Sequence, residues 1–147
     1  MSIMEELIEQ MKVVLATTFS LYLKSHNYHW NVTGPNFGQY HDFFGELYEE
    51  IHGSIDTTAE EIRKLGGFAP GSFSRFSDLS VIADETAIPA APVMFQRLAV
   101  DNEKAITELY KARQMAEQAN AAGTLDYIES RIGVHEKHAW MLNAFSA

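Results

Sequence analysis

Cysteine is absent from the 147-residue chain, which excludes disulfides, zinc–thiolate sites, iron–sulfur clusters and cysteine nucleophiles. Proline is scarce, with four residues, and the many Ala, Glu, Leu and Met favour helix. No apolar run approaches the ~20 residues that a membrane span needs. The first residues carry no basic segment followed by an apolar one, so we predict no signal peptide and expect a cytoplasmic location.

Basic residues are also few: 11 Lys and Arg stand against 20 Asp and Glu, and the formal net charge is −9. Such a surface repels phosphate backbones and attracts cations. The first basic residue is Lys12, so the N-terminus carries no basic tail. The charge therefore favours metal cations as partners and argues against DNA.

Apolar periodicity predicts two long helices, over residues 4–31 and 37–65. In the first, apolar residues and one histidine recur at steps of four and seven: Leu7, Met11, Leu15, Tyr22 and His29. Each helix would be about 40 Å long at ~1.5 Å per residue. Helices of that length are typical of bundles.

Residues 66–91 interrupt this pattern with glycines and prolines, and a short helix is predicted within them over 73–80. A third long helix should start near Pro92. We expect Ala122–Gly123 to end it and Thr124 to cap the last helix. Residues 1–147 are thus predicted to be one all-α domain, a ferritin-like four-helix bundle with a long crossover between helices two and three.

Four residues on the first two predicted helices have side chains that suit a divalent transition metal: His29, His41, Asp56 and Glu60. Asp56 and Glu60 lie one helical turn apart, and a short turn joins the helices that carry His29 and His41. His41 and Asp56 are 15 residues apart, roughly 22 Å along a helix, whereas metal–ligand bonds are about 2 Å long. One chain therefore provides two half-sites at opposite ends of its second helix.

The same spacing predicts how the half-sites are joined. Along a straight helix, His41 and Asp56 point within about 60° of each other. If the second helix packs antiparallel on its own copy, centred near Tyr48, His41 of one subunit faces Asp56 of the partner subunit. Two-fold symmetry then gives two complete sites for each pair of chains. We predict a metal site that is shared between subunits.

Other polar residues near these ligands allow two interpretations. Asp42, Glu46 and Glu49 could line a mineral-nucleating surface or form an ordinary solvated face. Trp30, beside His29, could be a packing anchor or a redox-active residue near the metal.

Two further groups of histidines and glutamates are interpreted as structural. Glu49 and His52 form a single Glu-x-x-His motif, whereas di-iron bundles use this motif on two helices, so we assign both residues to an ordinary helical face. On the last helix, His135 belongs to the apolar stripe and is predicted to be buried, and His138 is predicted to lie on the surface.

The combined motifs resemble the Dps family, the ferritin-like mini-ferritins named as DNA-binding proteins from starved cells. The resemblance covers nearly the whole chain and is carried by His29-Trp30-Asn-Val-x-Gly, His41, Asp56-x-x-Ala-Glu60, Leu65-Gly66-Gly67 and Glu136-Lys137-x-Ala-Trp140-Met141-Leu142. It implies a hollow homododecamer with ferroxidase centres at its two-fold interfaces. It also implies Fe(II) oxidation, preferably by hydrogen peroxide rather than oxygen, storage of ferric mineral, and one or two irons per site, which Zn or another divalent metal can replace.

The chain departs from the family pattern at three places. Glu61 stands where the family commonly has Arg, which predicts additional negative charge beside the site. Ala121 stands where an Asp often precedes the last helix, so an acidic pore on the three-fold axis would depend on Asp126. The Lys-rich N-terminal extension that gives some members DNA binding is missing, so the family name is not carried over as a function.

Two alternatives to an iron-oxidising enzyme are also compatible with the sequence. One is a structural protein that compacts DNA, which strong retardation of DNA in a gel would reveal. The other is a helical oligomer that binds Zn(II) or another ion without turnover. In that case, apo-protein mixed anaerobically with Fe(II) and then peroxide would form no ferric product.

Overall fold

A computed structural model describes residues 1–147, and it contains helices and no strands. The six helices are α1 (Ile3–Asn31), α2 (Phe37–Gly53), α3 (Ile55–Lys64), α4 (Phe73–Leu79), α5 (Ala91–Gln118) and α6 (Ala122–Phe145). The long helices α1, α5 and α6 and a second helical arm, made of α2 and α3, form the bundle. The predicted all-α ferritin-like four-helix bundle is confirmed. None of the six helices combines the length and the apolar character that a membrane span needs.

Helix α1 begins with a capping box that the sequence analysis did not use. The Ser2 hydroxyl accepts a hydrogen bond from the Glu5 backbone N–H, and the Glu5 carboxylate accepts one from the Ser2 N–H. This pair satisfies two of the free N–H groups at the helix start. The helix ends at Val32, where the backbone becomes extended. His29 therefore lies in the last turn of α1.

The second helical arm is broken at Ser54, so the prediction of one continuous helix over 37–65 was wrong. The Ser54 N–H bonds to the carbonyl of Ile51, three residues back, and the Ser54 hydroxyl donates to the same carbonyl at 2.7 Å. The Tyr127 hydroxyl from α6 donates to the Ser54 carbonyl at 3.0 Å. A Gly–Ser pair and inserted side chains are known causes of helix breaks. The straight-helix angle of about 60° therefore does not apply across Ser54.

The turn between α5 and α6 also differs from its prediction. Asn120, and not Gly123, takes the left-handed conformation, with φ 53°. The N–H of Ala121 bonds to the carbonyl of Ala116 and that of Asn120 to the carbonyl of Glu117, which is a Schellman motif. Thr124 does not cap α6, because the helix already starts at Ala122 and the Thr124 side chain is buried.

The crossover contains the predicted short helix, as α4. Phe76 of α4 stacks on Phe19 of α1 with ring centroids 4.7 Å apart. Further along, the Glu85 carboxylate accepts hydrogen bonds from the Tyr28 hydroxyl at 2.5 Å and from Arg97 at 2.6 Å. The crossover is thus attached to both α1 and α5.

Two apolar clusters fill the bundle, and α1 contributes to both. The cluster near the C-terminal end of α1 includes Tyr28, Phe44, Met94, Leu98 and Leu142. The other includes Leu7, Met11, Ile62, Ala116 and Ile128. The first cluster contains residues on both sides of the turn between α1 and α2, including Tyr28 and Phe44, so it holds that turn in place.

Candidate metal centre

His29 and His41 come together where α1 ends and α2 begins. Their rings are stacked, with centroids 3.8 Å apart and an interplanar angle of 18°. The Nδ1 atom of His29 lies 2.7 Å from the carbonyl oxygen of His41. The Nδ1 atom of His41 lies 2.6 Å from the carbonyl oxygen of His29. The two histidines are therefore joined by a reciprocal pair of ring-to-backbone hydrogen bonds.

These hydrogen bonds determine the tautomer of both rings. A carbonyl oxygen can only accept, so each Nδ1 carries the proton and donates. In a neutral imidazole, the lone pair is then on Nε2. Metal-binding histidines commonly donate their other ring N–H to a carbonyl or carboxylate in this way. His29 and His41 each have an Nε2 atom ready to bind a metal.

Gly45 provides the space for this arrangement, and the sequence analysis missed it. A Cβ atom at position 45 would lie 3.1 Å from both Nδ1 and Cε1 of His29, which is closer than ordinary van der Waals contact. Glycine inside a helix costs about 1 kcal/mol relative to alanine. A glycine four residues after His41 in a helical segment was the available signal.

Asp56 and Glu60 lie apart from the histidines within one chain. They occupy the first and second turns of α3, both are exposed, and neither forms a hydrogen bond or ion pair in the chain. No group of three or more metal-ligating side chains exists in the single chain. The structure thus pairs His29 with His41 and leaves the two carboxylates free on the surface of the second helical arm.

Aromatic rings surround the histidine pair along the contact between α1 and α2. The His26 ring is stacked parallel to Tyr48 at 3.7 Å and lies 3.9 Å from Trp30 on ring centroids. The Tyr22 hydroxyl lies 2.9 Å from Nδ1 of His26. Burial lowers the pKa of His26, and the nearby His29 and His52 lower it further. His26 is therefore a neutral ring at neutral pH.

Comparison with known proteins identifies the family. Residues 8–147 match the ferritin-like domain. The chain is 37% identical to the DNA protection during starvation protein of Brevibacillus brevis, over 97% of this chain and 99% of that protein. The chain belongs to the Dps family. The Dps crystal structure from Bacillus brevis matches with a TM-score of 0.95 at 35% identity, covering 100% of this chain and 99% of that one.

A more distant Dps structure extends the comparison. The Vibrio cholerae protein, described as a member of the ferritin-like diiron-carboxylate superfamily, matches with a TM-score of 0.94. Its identity is 26%, over 99% of this chain and 91% of that one. Membership of this superfamily supports a role in iron storage in general.

Glu61, the departure from the Dps pattern next to Glu60, points into the bundle. Only 5% of its surface is exposed. One carboxylate oxygen accepts a hydrogen bond from the Thr124 hydroxyl at 3.0 Å, and the other forms an ion pair with Lys64 at 2.9 Å. The additional negative charge of Glu61 is therefore paired with Lys64, and the side chain connects α3 to α6.

His138 is buried, so its predicted surface position was wrong. Its Nε2 atom lies 2.8 Å from the Glu50 carboxylate, which also accepts two hydrogen bonds from Arg131, the shorter at 2.6 Å. Burial alone would raise the pKa of Glu50. The hydrogen bonds from His138 and Arg131 outweigh burial and lower that pKa to about 2. The half-exposed Glu50 carboxylate draws His138 into the seam between α2 and α6.

His135 is buried as predicted, and it is held neutral. Its Nδ1 atom lies 2.8 Å from the side-chain oxygen of Asn102 on α5. Burial is the largest cause that lowers the pKa of His135 to about 3, followed by repulsion from Arg131 and His138. An uncharged ring at this position connects α5 to α6 without a buried charge.

The remaining predicted residues are all exposed on the chain. Asp42, Glu46 and Glu49 lie on α2, and Asp126 lies near the start of α6. Trp30 is 58% exposed, with one face against His26, so packing within the chain accounts for only part of its surface. Their roles in mineral formation, ion passage and redox chemistry stay predictions.

Proposed function

We propose that the protein is an iron-storing ferroxidase whose site is shared between two subunits. His29 and His41 of one subunit would bind Fe(II), the substrate, together with Asp56 and Glu60 of the partner subunit. The supporting observation is the reciprocal hydrogen bonding that leaves two Nε2 lone pairs free at one end of the second helical arm. The two unpartnered carboxylates at the other end complement them.

The donor set suits iron in both oxidation states. Imidazole nitrogen binds Fe(II) well, and carboxylate oxygen, a harder donor, favours the ferric product. The preferred oxidant in this proposal is hydrogen peroxide, with oxygen as the alternative. Consuming Fe(II) and peroxide together would limit the radical chemistry that the two produce in solution.

Storage requires an enclosed assembly, and we propose a hollow dodecamer. Ferric product would collect in its cavity, with Asp42, Glu46 and Glu49 as the surface on which mineral forms. Fe(II) would enter through a pore lined by Asp126. The net charge of −9 supports cation attraction into such a shell.

Subunit complementation tests the shared site. One variant, His29→Ala/His41→Ala, lacks the nitrogen donors, and a second, Asp56→Ala/Glu60→Ala, lacks the carboxylates. Each alone should fail to oxidise Fe(II) with peroxide, measured by ferric absorbance. When the two are unfolded, mixed in equal amounts and refolded together, about a quarter of the sites should recover, because half the pairs are mixed and each contains one intact site.

The control is the same mixing experiment with two preparations of one variant, which should stay inactive. Activity of either variant alone, or no recovery in a mixture that native mass spectrometry shows to contain both chains, would contradict the shared site. The same spectra test the assembly, since the proposal requires twelve subunits.

A further inference from the structure

A continuous series of rings connects the histidine pair to Tyr22. The Tyr48 ring centroid lies 5.2 Å from that of His29 and 3.7 Å from that of His26. The His26 and Tyr48 planes are within 7° of parallel. Tyr22 follows, with its ring centroid 5.5 Å from that of His26 and 6.1 Å from that of Tyr48. An electron leaving Tyr22 would cross only short gaps to reach His29.

Tyrosine oxidation at neutral pH also needs a place for the phenolic proton, because the oxidised phenol is a strong acid. Tyr22 has such an acceptor in His26, whose Nδ1 lies 2.9 Å from the hydroxyl oxygen. In the tautomer protonated at Nε2, the phenol donates to the Nδ1 lone pair. The stack of His26 between Tyr48 and Trp30 keeps the ring in this position.

Two other tyrosines each have only one of these properties. Tyr48 is part of the ring series, but its hydroxyl forms no hydrogen bond within the chain. Tyr28 donates to the Glu85 carboxylate, a proton acceptor, but its only close aromatic neighbour is Phe44, outside the ring series. Tyr22 combines the electron path with the proton acceptor.

We propose that Tyr22, hydrogen-bonded to His26, is a one-electron donor to the iron site, an inference that rests on the proposed ferroxidase function. Hydrogen peroxide takes up two electrons and two solvent protons, its O–O bond breaks, and two waters form. One electron comes from Fe(II), which becomes Fe(III). The other comes from Tyr22, whose O–H bond breaks as its proton moves to Nδ1 of His26. The products on the protein are a neutral tyrosyl radical and a protonated His26.

The chemical need for this donor follows from electron counting. A site that holds a single Fe(II) can supply one electron, whereas complete reduction of peroxide takes two. Without a second donor, one-electron reduction releases a hydroxyl radical. Tyr22 would retain the oxidising equivalent on the protein, where a second Fe(II) can reduce the radical and recover the proton from His26.

Rapid freeze-quench electron paramagnetic resonance on the assembled protein tests this inference. Protein containing ring-deuterated tyrosine, loaded with Fe(II) and mixed with peroxide, should show a radical whose hyperfine pattern differs from that of the unlabelled protein. Tyr22→Phe should lose this signal, release more spin-trapped hydroxyl radical and form less ferric product for each peroxide consumed, because the second oxidising equivalent leaves the site. The His26→Gln variant, which can accept a hydrogen bond but is not a base, should also lose the signal.

Tyr28→Phe and Tyr48→Phe are the matched controls, and both should retain the radical. Persistence of the tyrosyl signal in Tyr22→Phe, or a radical that tyrosine deuteration does not alter and that Trp30→Phe removes, would overturn the proposal. Ferric product without any radical would overturn it too, and would leave the ferroxidase function intact. The absence of ferric product in the unmodified protein would instead refute the proposed function.

Discussion

The second helical arm faces two neighbours, and the two contacts differ in kind. The α1 seam, between this arm and α1, is built of rings and a glycine: His41, Gly45 and Tyr48 against His26 and His29. The α6 seam, between the arm and α6, is built of hydrogen-bonded polar groups: Glu50, Ser54, Thr58 and Glu61 against Thr124, Tyr127, Arg131 and His138.

The two seams differ in whether their polar groups have hydrogen-bond partners. In the α1 seam, two Nε2 atoms remain free and an exposed indole lies beside them. In the α6 seam the polar side chains have partners, and the whole chain contains no buried side-chain polar atom without one. Free donors are available to a substrate, whereas paired groups contribute to holding the helices together. Changes in the α1 seam should therefore alter iron chemistry, and changes in the α6 seam should alter stability.

The largest expected effect is loss of iron affinity in His29→Ala. Losing a residue that merely orients a metal ligand costs about 10- to 100-fold in affinity, so losing the ligand should cost at least about 100-fold. The free energy of unfolding should change by less than about 1 kcal/mol, since the ring is only half-buried. Anaerobic Fe(II) titration calorimetry and urea unfolding measure the two. His52→Ala, at an exposed position, is the control. Equal losses of iron affinity in both variants would contradict the assignment of iron binding to the α1 seam.

The next largest effect is a loss of stability in acid, which we expect from His135 of α6. His135 has a pKa of about 3 in the fold against a usual 6.5, so the unfolded chain binds its proton first as pH falls. Stability is complete above pH 6.5 and falls, by at most about 1.4 kcal/mol per pH unit, until the pH reaches the folded value. Glu50, whose pKa is lowered to about 2, adds a further loss only in more acidic solution.

Urea unfolding at pH 7, 6 and 5 checks this dependence. His135→Gln should reduce the slope of the stability profile in this range, because glutamine does not titrate; His26, whose pKa is also lowered, should leave a smaller slope. His52→Gln should retain the original slope. A wild-type profile that is flat between pH 7 and 5 would show that His135 is not held neutral by its surroundings.

A smaller effect is expected for Gly45→Ala. The new methyl group would lie 3.1 Å from the His29 ring and displace it by a few tenths of an ångström. Because small misplacements of reacting groups are costly, the rate of iron oxidation should fall about tenfold. Gly38→Ala is the matched control, since a methyl group there meets nothing within 4 Å. Equal oxidation rates in the two variants would remove the role given to Gly45.

The smallest effect concerns Glu61. In Glu61→Ala the buried Thr124 hydroxyl loses its carboxylate partner, which should destabilise the protein by about 1–2 kcal/mol. Iron oxidation should stay unchanged, because the carboxylate faces α6. Glu60→Ala, one residue earlier, should show the reverse pattern. A clear change in oxidation rate for Glu61→Ala would place its charge at the site after all.

Much of the architecture could be predicted because helical periodicity and turn residues are local signals. The errors came where another helix acts on the chain. The break at Ser54 involves the Tyr127 hydroxyl of α6 as well as local groups, and Thr124 is buried against Glu61 instead of capping a helix. His138 looked like a surface residue because neither neighbour in sequence indicates Glu50, which is 88 residues away.

The sequence by itself determined which groups can bind metal and that one chain cannot bring them all together. The fixed rise of a helix separates His41 from Asp56, so residue spacing alone predicts that a partner chain completes the proposed site. Only the tertiary structure decided how the donors are presented. Two backbone carbonyls select the tautomers of His29 and His41, Gly45 leaves room for the ring, and Thr124 turns Glu61 away. These are contacts between helices, and a side chain's direction is set by what packs against it.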